Sequence, residues 1–352
     1  MTAALPAGIV RSEPLDIAVF HTNLARKGPG LLLRDIRGNR DPQVQAVVAV
    51  IAHAAPDILL LLDVDYDHDL ITLAALRDAV ARAGVPYPHI HALAPNRGLS
   101  TGLDLDGDGR TGSARDAQGY AEFAGQGGMA ILSRYPVRAD RVQDHSALLW
   151  RDLPGALLTL PDGQPLLTPQ AMAVQRLSTT GHWTVPITIG GQDLHLLAFH
   201  ATPPVFDGPE DHNGRRNHDE ARFWSLYLDG RLAPPPQGRF VLIGDSNMDP
   251  ADSEGRPDAM KALLADPRLQ DPQPESAGGR LADGGGRGDP ALHTASWPAP
   301  GPSGLRVDLV LPSADLTVLS AAVLWPEPGS PFADTVQAAS HHRLVSVTLD
   351  WP

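Results

Sequence analysis

Residues 58–62 read Ile-Leu-Leu-Leu-Leu, an unbroken apolar run between Pro56-Asp57 and Asp63. A membrane span needs roughly 18–20 apolar residues, and nothing in the chain approaches that. Continuous apolarity without alternation marks a strand covered on both faces. Just upstream, Val44, Val47, Val48 and Ile51 recur at helical spacing after Asp41-Pro42, which predicts a helix over 43–54. A doubly covered strand fed by such a helix requires a layered α/β architecture.

The same reading extends along the chain. Strands are expected at 16–20, 129–132, 185–189, 194–199, 240–243, 307–311 and 344–349. Helices are expected at 70–83, ended by Gly84, and from about 218 to 228. Loop-rich stretches fall at 95–127, 140–182 and 250–304, in keeping with 34 glycines and 34 prolines among 352 residues. With no repeat and no linker, 14–352 reads as one domain, preceded by an unstructured 1–13. That N-terminal stretch lacks the basic start and apolar core of a whole signal peptide. A trimmed remnant of one would imply a periplasmic or secreted protein; otherwise the cytoplasm is expected. The absence of cysteine excludes disulfides, thiol nucleophiles and Cys-ligated metals. A net charge of −13, with Lys27 and Lys261 the only lysines, argues against holding long duplex DNA.

Nearly every apolar run ends in chemistry. His21 and Asn23 follow the first strand, Asp63 and Asp65 the second, and His200 follows 194–199. Asp245 and Asn247 follow 240–243, Asp308 lies inside 307–311, and His341-His342 precede the last strand. Carboxylates, amides and imidazoles delivered repeatedly to strand ends point to one polar site at a sheet edge, where α/β proteins build their sites.

The segment Gly244-Asp-Ser-Asn247, with LHLLAFH ending at His200, Arg306-Val-Asp308 and SHHRLV, resembles the endonuclease/exonuclease/phosphatase superfamily. The resemblance covers about 14 to 350, includes GMAILSRYPV at 128–137, and suggests a divergent bacterial member. It implies a DNase I-like fold: a four-layer α/β/β/α sandwich of two mixed sheets with helices outside. It also implies roles. Asp245 and Asn247 would hold the attacking water and scissile phosphate, His200 would touch the phosphate, and His342 would be the catalytic histidine partnered by Asp308. An Asp–imidazole pair fixes the tautomer and stabilises the protonated ring.

Three positions depart from the family pattern. The first strand ends in His21 where relatives carry Asn, Asp63 stands for a metal-binding Glu, and His341 stands for an Asp. Exchanging oxygen donors for imidazoles weakens a Mg²⁺ site and suits a transition ion. One reading is therefore a remodelled site of His21, Asp63 and His341: Mg or Mn by resemblance, Zn, Fe or another transition metal by the histidines. The other is a scaffold that has lost the metal and survives as a binding protein. The enzyme reading is in-line attack of water on a phosphodiester or phosphomonoester, as in a nuclease, phosphodiesterase or phosphatase. The acidic balance favours a small or short phosphoester; oligomeric state is not legible.

Other clusters invite separate readings. Asp104, Asp106 and Asp108 with Gly109 match the start of a calcium loop, but position twelve is Arg115 and Asp116 comes one residue late. Structural calcium and a solvated turn both remain open. Arg215-Arg216 are candidates to clamp a phosphate. The charged stretch 208–224 reads as a loop that closes over the site before its helix, with Asp219 and Glu220 as N-terminal helix caps. Asp65 reads as a solvated loop residue, with a supporting place behind Asp63 as the alternative. His89, His91, His195 and His293 read as satisfied structural histidines, and Trp183, Trp224 and Trp297 as core, with the lining of a base or sugar pocket as the alternative.

Overall fold

A computed structural model describes residues 13–282 and 285–352. The expected N-terminal segment thus lies outside the described residues, apart from Glu13, which opens the first strand. The strands are β1 (Glu13–His21), β2 (Ile58–Val64), β3 (His89–His91), β4 (Gly128–Ser133), β5 (Gln143–Asp144) and β6 (Gly181–Ile189). After them come β7 (Gln192–His200), β8 (Phe240–Asp245), β9 (Asp308–Pro312), β10 (Thr317–Val323) and β11 (Val345–Trp351).

They form two mixed sheets, ordered β10-β11-β1-β2-β4-β3 and β5-β6-β7-β8-β9. Each has one parallel pair, β1 with β2 and β7 with β8, and antiparallel neighbours elsewhere. Side chains alternate along a strand, so each strand serves two layers. Ile17, Val19, Leu60, Ile131, Val185, Leu196, Val241 and Val347 pack between the sheets. The opposite parity of the first sheet, including Phe20, Leu59, Leu61 and Leu132, packs against helices Pro42–Ala54 and Ile71–Arg82. Leu197, Phe199, Leu242 and Leu311 of the second sheet pack against helices His212–Leu228 and Asp258–Leu264. Three apolar layers therefore separate four layers of secondary structure, each buried large aliphatic side chain contributing about 1.5–3 kcal/mol. The α/β/β/α sandwich is the architecture expected from the sequence.

Some elements escaped the sequence pattern. β10 (TVLSAAV) is an edge strand, largely exposed and without a clean alternation. β3 and β5 are too short to show a period, and helix Leu31–Gly38 follows Gly30, which has no side chain to cap it. Asp41 does cap its helix, accepting from the Val44 N–H at 2.9 Å. The reading of 208–224 needs correction. The helix begins at His212, not near 218, and lies buried against the second sheet, with Asn217 donating to the Thr202 and Ser246 carbonyls just past β7 and β8. Asp219 and Glu220 are interior to it and cap nothing: Asp219 accepts from Trp150 Nε1 and Leu157 N, and Glu220 from Thr179 N and Thr202 N.

Candidate active site

Strand parity assembles the site. Leu196 and Ala198 face the layer between the sheets, so His200, two residues further on, faces it too. The same count carries Val241 and Ile243 to Asp245, Ile17 and Val19 to His21, and Val310 back to Asp308. In the second sheet His200 is registered with Asp245, and Asp245 with Asp308, which sets the three in one row. His21 arrives from the first sheet. The central apolar layer thus ends in a buried patch of imidazoles and carboxylates.

Asp63 gets there differently. Parity would turn it outward, but the β2–β4 register shifts between Leu62 and Val64 and Asp63 takes a left-handed φ of 59°. A bulge re-aims a side chain in this way. Its Oδ1 accepts from Arg97 Nη1 at 2.8 Å. Gly127, at φ 63°, permits that approach, since a Cβ there would collide with Asp63 Oδ1 and the Arg97 guanidinium. Gly244 is required on similar grounds: at φ 153° its Cβ would strike the Phe199 carbonyl.

Two imidazole–carboxylate pairs dominate the centre. His21 Nδ1 lies 2.8 Å from Asp245 Oδ2, and His342 Nδ1 lies 2.9 Å from Asp308 Oδ2. The two rings stack with centroids 3.9 Å apart, and His200 meets His21 edge-on at 4.8 Å. His200 Nε2 stands 3.8 Å from Asp245 Oδ2. The other Asp245 oxygen accepts from the Asn247 N–H at 2.6 Å. Ser340 Oγ lies 2.6 Å from the His21 carbonyl and 2.7 Å from Asn23 Oδ1, one proton serving both, and accepts from the His342 N–H. Thr294 Oγ1 accepts from the Val307 and Asp308 N–H groups, which sets the start of β9.

Burial and charge then divide the histidines. Burial opposes a charge on His21, yet the hydrogen bond and attraction of Asp245, with Asp63 and Asp308 adding, hold its pKa above the ordinary value. His200 and His342 are driven well below theirs by burial, and the neighbouring His21 adds to the effect. Burial pushes Asp308 up to about 7 against the pull of His21. Burial likewise raises Asp65 to about 6; far from being solvated, it accepts from the Arg26 and Gly127 N–H groups.

The geometry regroups the expected ligands. Ligating atoms of His21, Asp245, Asp308 and His342 all lie within 4.8 Å of one another, and all four residues are buried. Asp63 is committed to Arg97, and His341 is exposed, its N–H donating to Asn23 Oδ1. Neither joins that close-set group, so of the expected trio only His21 does. Asp308 Oδ1 and His200 Nδ1 are buried without a hydrogen-bond partner, which leaves donor capacity for an ion or substrate. Asn247 is half-buried with φ 49°, and its Nδ2 donates to the Ala201 carbonyl at 2.9 Å.

The arginine reading is corrected. Arg215 donates to the Glu210, Leu157 and Thr159 carbonyls, and Arg216 to those of Leu177, Gln118, Arg176 and Ser178. Both are buried, and the backbone carbonyls they hold make them tethers for loops, with no part in the strand-end cluster. Asp104, Asp106 and Asp108 do cluster, but they are exposed, and their carboxylates accept N–H bonds from Gly107, Asp108, Gly109 and Arg110. Asp116 closes that loop through Leu105 N and Ser113 N. Trp183 and Trp224 are core residues, whereas the half-buried Trp297 meets His342 edge-on at 5.2 Å. Sequence reasoning passed over Arg97 and Thr294, since nothing local marks a loop residue that touches the site only through folding, and it quoted Ser340 only as the start of SHHRLV, with no role.

The family model for the endonuclease/exonuclease/phosphatase family matches residues 34–341. The chain belongs to that family. Its fold is shared with a family protein from Beutenbergia cavernae DSM 12333, at 19% identity and TM-score 0.55, over 96% of this chain and 72% of that one. A family protein from Leptotrichia buccalis C-1013-b matches at 14% identity and TM-score 0.53, over 96% and 100%. Sphingomyelinase C from Streptomyces griseocarneus matches at 15% identity and TM-score 0.52, over 96% and 99%. No curated protein matches the chain. At these identities the solved structures share the fold alone, and the imidazole-rich centre must be read from this chain itself.

Proposed function

We propose that this protein is a divalent-metal-dependent phosphoester hydrolase whose centre is built from His21, Asp245, Asp308 and His342, with His200 and Asn247 beside them. One observation carries the reading: two buried imidazole–carboxylate pairs meet at the strand ends, with ligating atoms within 4.8 Å. Burying so many ionisable groups is costly, and sites that do so are candidates for chemistry. Family membership supports phosphoester cleavage in general. The sphingomyelinase neighbour is in keeping with a small phosphodiester, as is the net charge of −13.

With His342 kept as the base, the remaining donors, a His21 nitrogen and the Asp245 and Asp308 carboxylates, fit a divalent transition ion better than an all-oxygen Mg²⁺ site. Bound there, an ion would polarise the phosphoryl oxygens and neutralise charge developing on them. The chain's own residues supply the rest. Asp308 holds His342 in the tautomer that donates from Nδ1, leaving Nε2, neutral because of burial, to accept a proton from the attacking water. Asp245, fixed through Oδ1 by the Asn247 N–H, orients His21 and that water. Arg97 adds a fixed positive charge next to Asp63. Attack on phosphorus proceeds in line, the phosphorus–oxygen bond to the leaving group breaks, and the leaving group takes up a proton.

Bis-p-nitrophenyl phosphate, p-nitrophenyl phosphate and plasmid DNA, each with Mg²⁺, Mn²⁺, Ca²⁺ or Zn²⁺, test this directly. Turnover that falls by about 10²–10⁴ in Asp308→Asn and His342→Ala supports it. No turnover with any of these metals, or turnover unchanged in both variants, overturns it and leaves a binding scaffold on the same fold.

A further inference from the structure

His293 departs from its expected role as a satisfied histidine. It is 3% exposed, and neither ring nitrogen has a hydrogen-bond partner. A buried polar atom left unpaired costs about 1–3 kcal/mol, so two on one ring call for an explanation.

Two carboxylates surround the ring. Ligating atoms of Asp249, Asp252 and His293 all lie within 4.8 Å of one another. Asp249 follows the turn at Asn247; its Oδ1 accepts from the Ala251 N–H and its Oδ2 from the Arg306 N–H, both at 2.7 Å. Asp252 accepts from the Arg287 N–H on Oδ1 and the Gly288 N–H on Oδ2, each at 2.7 Å. Those N–H bonds, with the exposed Arg287 guanidinium 3.6 Å from Oδ1, hold Asp252 below the ordinary carboxylate range. Asp249 Oδ1 also accepts from the Asp252 N–H at 3.2 Å, whereas Asp249 Oδ2 and the two Asp252 oxygens keep a second lone pair, and backbone bonds of this kind orient metal-binding carboxylates. Glycines shape the space. A Cβ on Gly304 would collide with His293 Nδ1, whereas one on Gly288 would lie 3.0 Å from Asp252 Oδ2 and 3.9 Å from His293 Nε2. Nε2 and the Asp252 carboxylate therefore border the same glycine-walled gap.

We propose that Asp249, Asp252 and His293 form a second divalent-metal site, made of residues separate from the strand-end cluster and suited to zinc or a similar transition ion. One imidazole and two carboxylates are zinc's kind of donors, with a fourth position left for water, whereas Ca²⁺ and Mg²⁺ favour oxygen alone. The ion staples the chain just past β8 to the segment around Gly288 and His293, within the long stretch 250–304. Thr294, the next residue, receives the Val307 and Asp308 N–H groups, so the staple also steadies the strand that carries Asp308.

The test uses the full chain, stripped with a chelator and titrated with zinc alone, with zinc content and tryptic cleavage at Arg280 and Arg287 as readouts. Wild type and His21→Ala are expected to bind an equivalent of zinc that His293→Gln and Asp252→Asn lose or hold at least about tenfold more weakly. Zinc is expected to slow cleavage in the first two proteins and not in the last two. Gly288→Ala keeps all three donors while narrowing the gap, and should weaken the same equivalent; it decides the matter if His293→Gln does not fold. Equal zinc uptake and equal protection in wild type, Asp252→Asn and Gly288→Ala would overturn the site. So would loss, in His21→Ala, of the protection that zinc gives against cleavage, which would assign the stapling ion to the strand-end cluster.

Discussion

Replacing Asp245 with Asn should reverse the sign of the His21 pKa shift. In the native centre the imidazole and carboxylate meet at 2.8 Å, both buried. Hydrogen bonds to charged groups contribute about 1.5–3 kcal/mol, and burial works against the imidazolium. The Asn247 N–H holds Oδ1 as an acceptor, so in Asp245→Asn the oxygen stays there and the amide NH₂ turns towards His21 Nδ1. That nitrogen can accept only when the ring is neutral. Protonation of His21 should therefore become roughly ten- to a hundredfold harder, and the burial penalty then outweighs the weaker attraction of Asp63 and Asp308. The assay is NMR titration of the ring protons in chelator-treated protein. Wild type should titrate above the ordinary 6.5 and the variant below it. By linkage, the pair's stabilisation is complete below pH 6.5, where the unfolded ring is also charged, and fades as pH climbs through the raised folded value. A His21 that titrates above 6.5 in both proteins would refute the assignment of its charge to Asp245.

Taking up a divalent ion at His21 must release the proton that Asp245 holds there, so apparent affinity measured calorimetrically should tighten as pH rises above 6.5. Affinity independent of pH would exclude His21 as a ligand. Arg216→Met should lower stability by about 2–4 kcal/mol by orphaning buried carbonyls, read by urea unfolding, while KM for a phosphodiester stays unchanged. A raised KM would restore its role as a phosphate clamp. Gly244→Ala should cost at least about 2 kcal/mol through left-handed strain and collision with the Phe199 carbonyl, and should depress turnover by displacing Asp245. A variant as stable as wild type would contradict the backbone geometry at that turn.

The strands with dense apolar character were legible from sequence, because a face that must be dry writes its period into the chain. Their polar end residues were legible for the same reason: His21, His200 and Asp245 at the ends of β1, β7 and β8, and Asp308 at the start of β9, continue the parity that builds the core, so the count that buries Val19 and Ile243 also aims the site. The edge strand β10 left no such record because most of it is exposed and its partner lies on one side only.

Partnership was decided by the tertiary structure. Which carboxylate meets which imidazole depends on the distance between sheets and on residues far apart in the chain: His21 pairs with Asp245, 224 positions away, instead of joining Asp63 and His341. The bulge that hands Asp63 to Arg97, the carbonyls that consume Arg215 and Arg216, and the buried His293 with no hydrogen-bond partner follow from packing alone. A side chain's type and parity are local properties, set by the residues beside it. Its hydrogen-bond partner and the state of its proton belong to the whole fold, because they depend on what burial removes and on what the other sheet brings into reach.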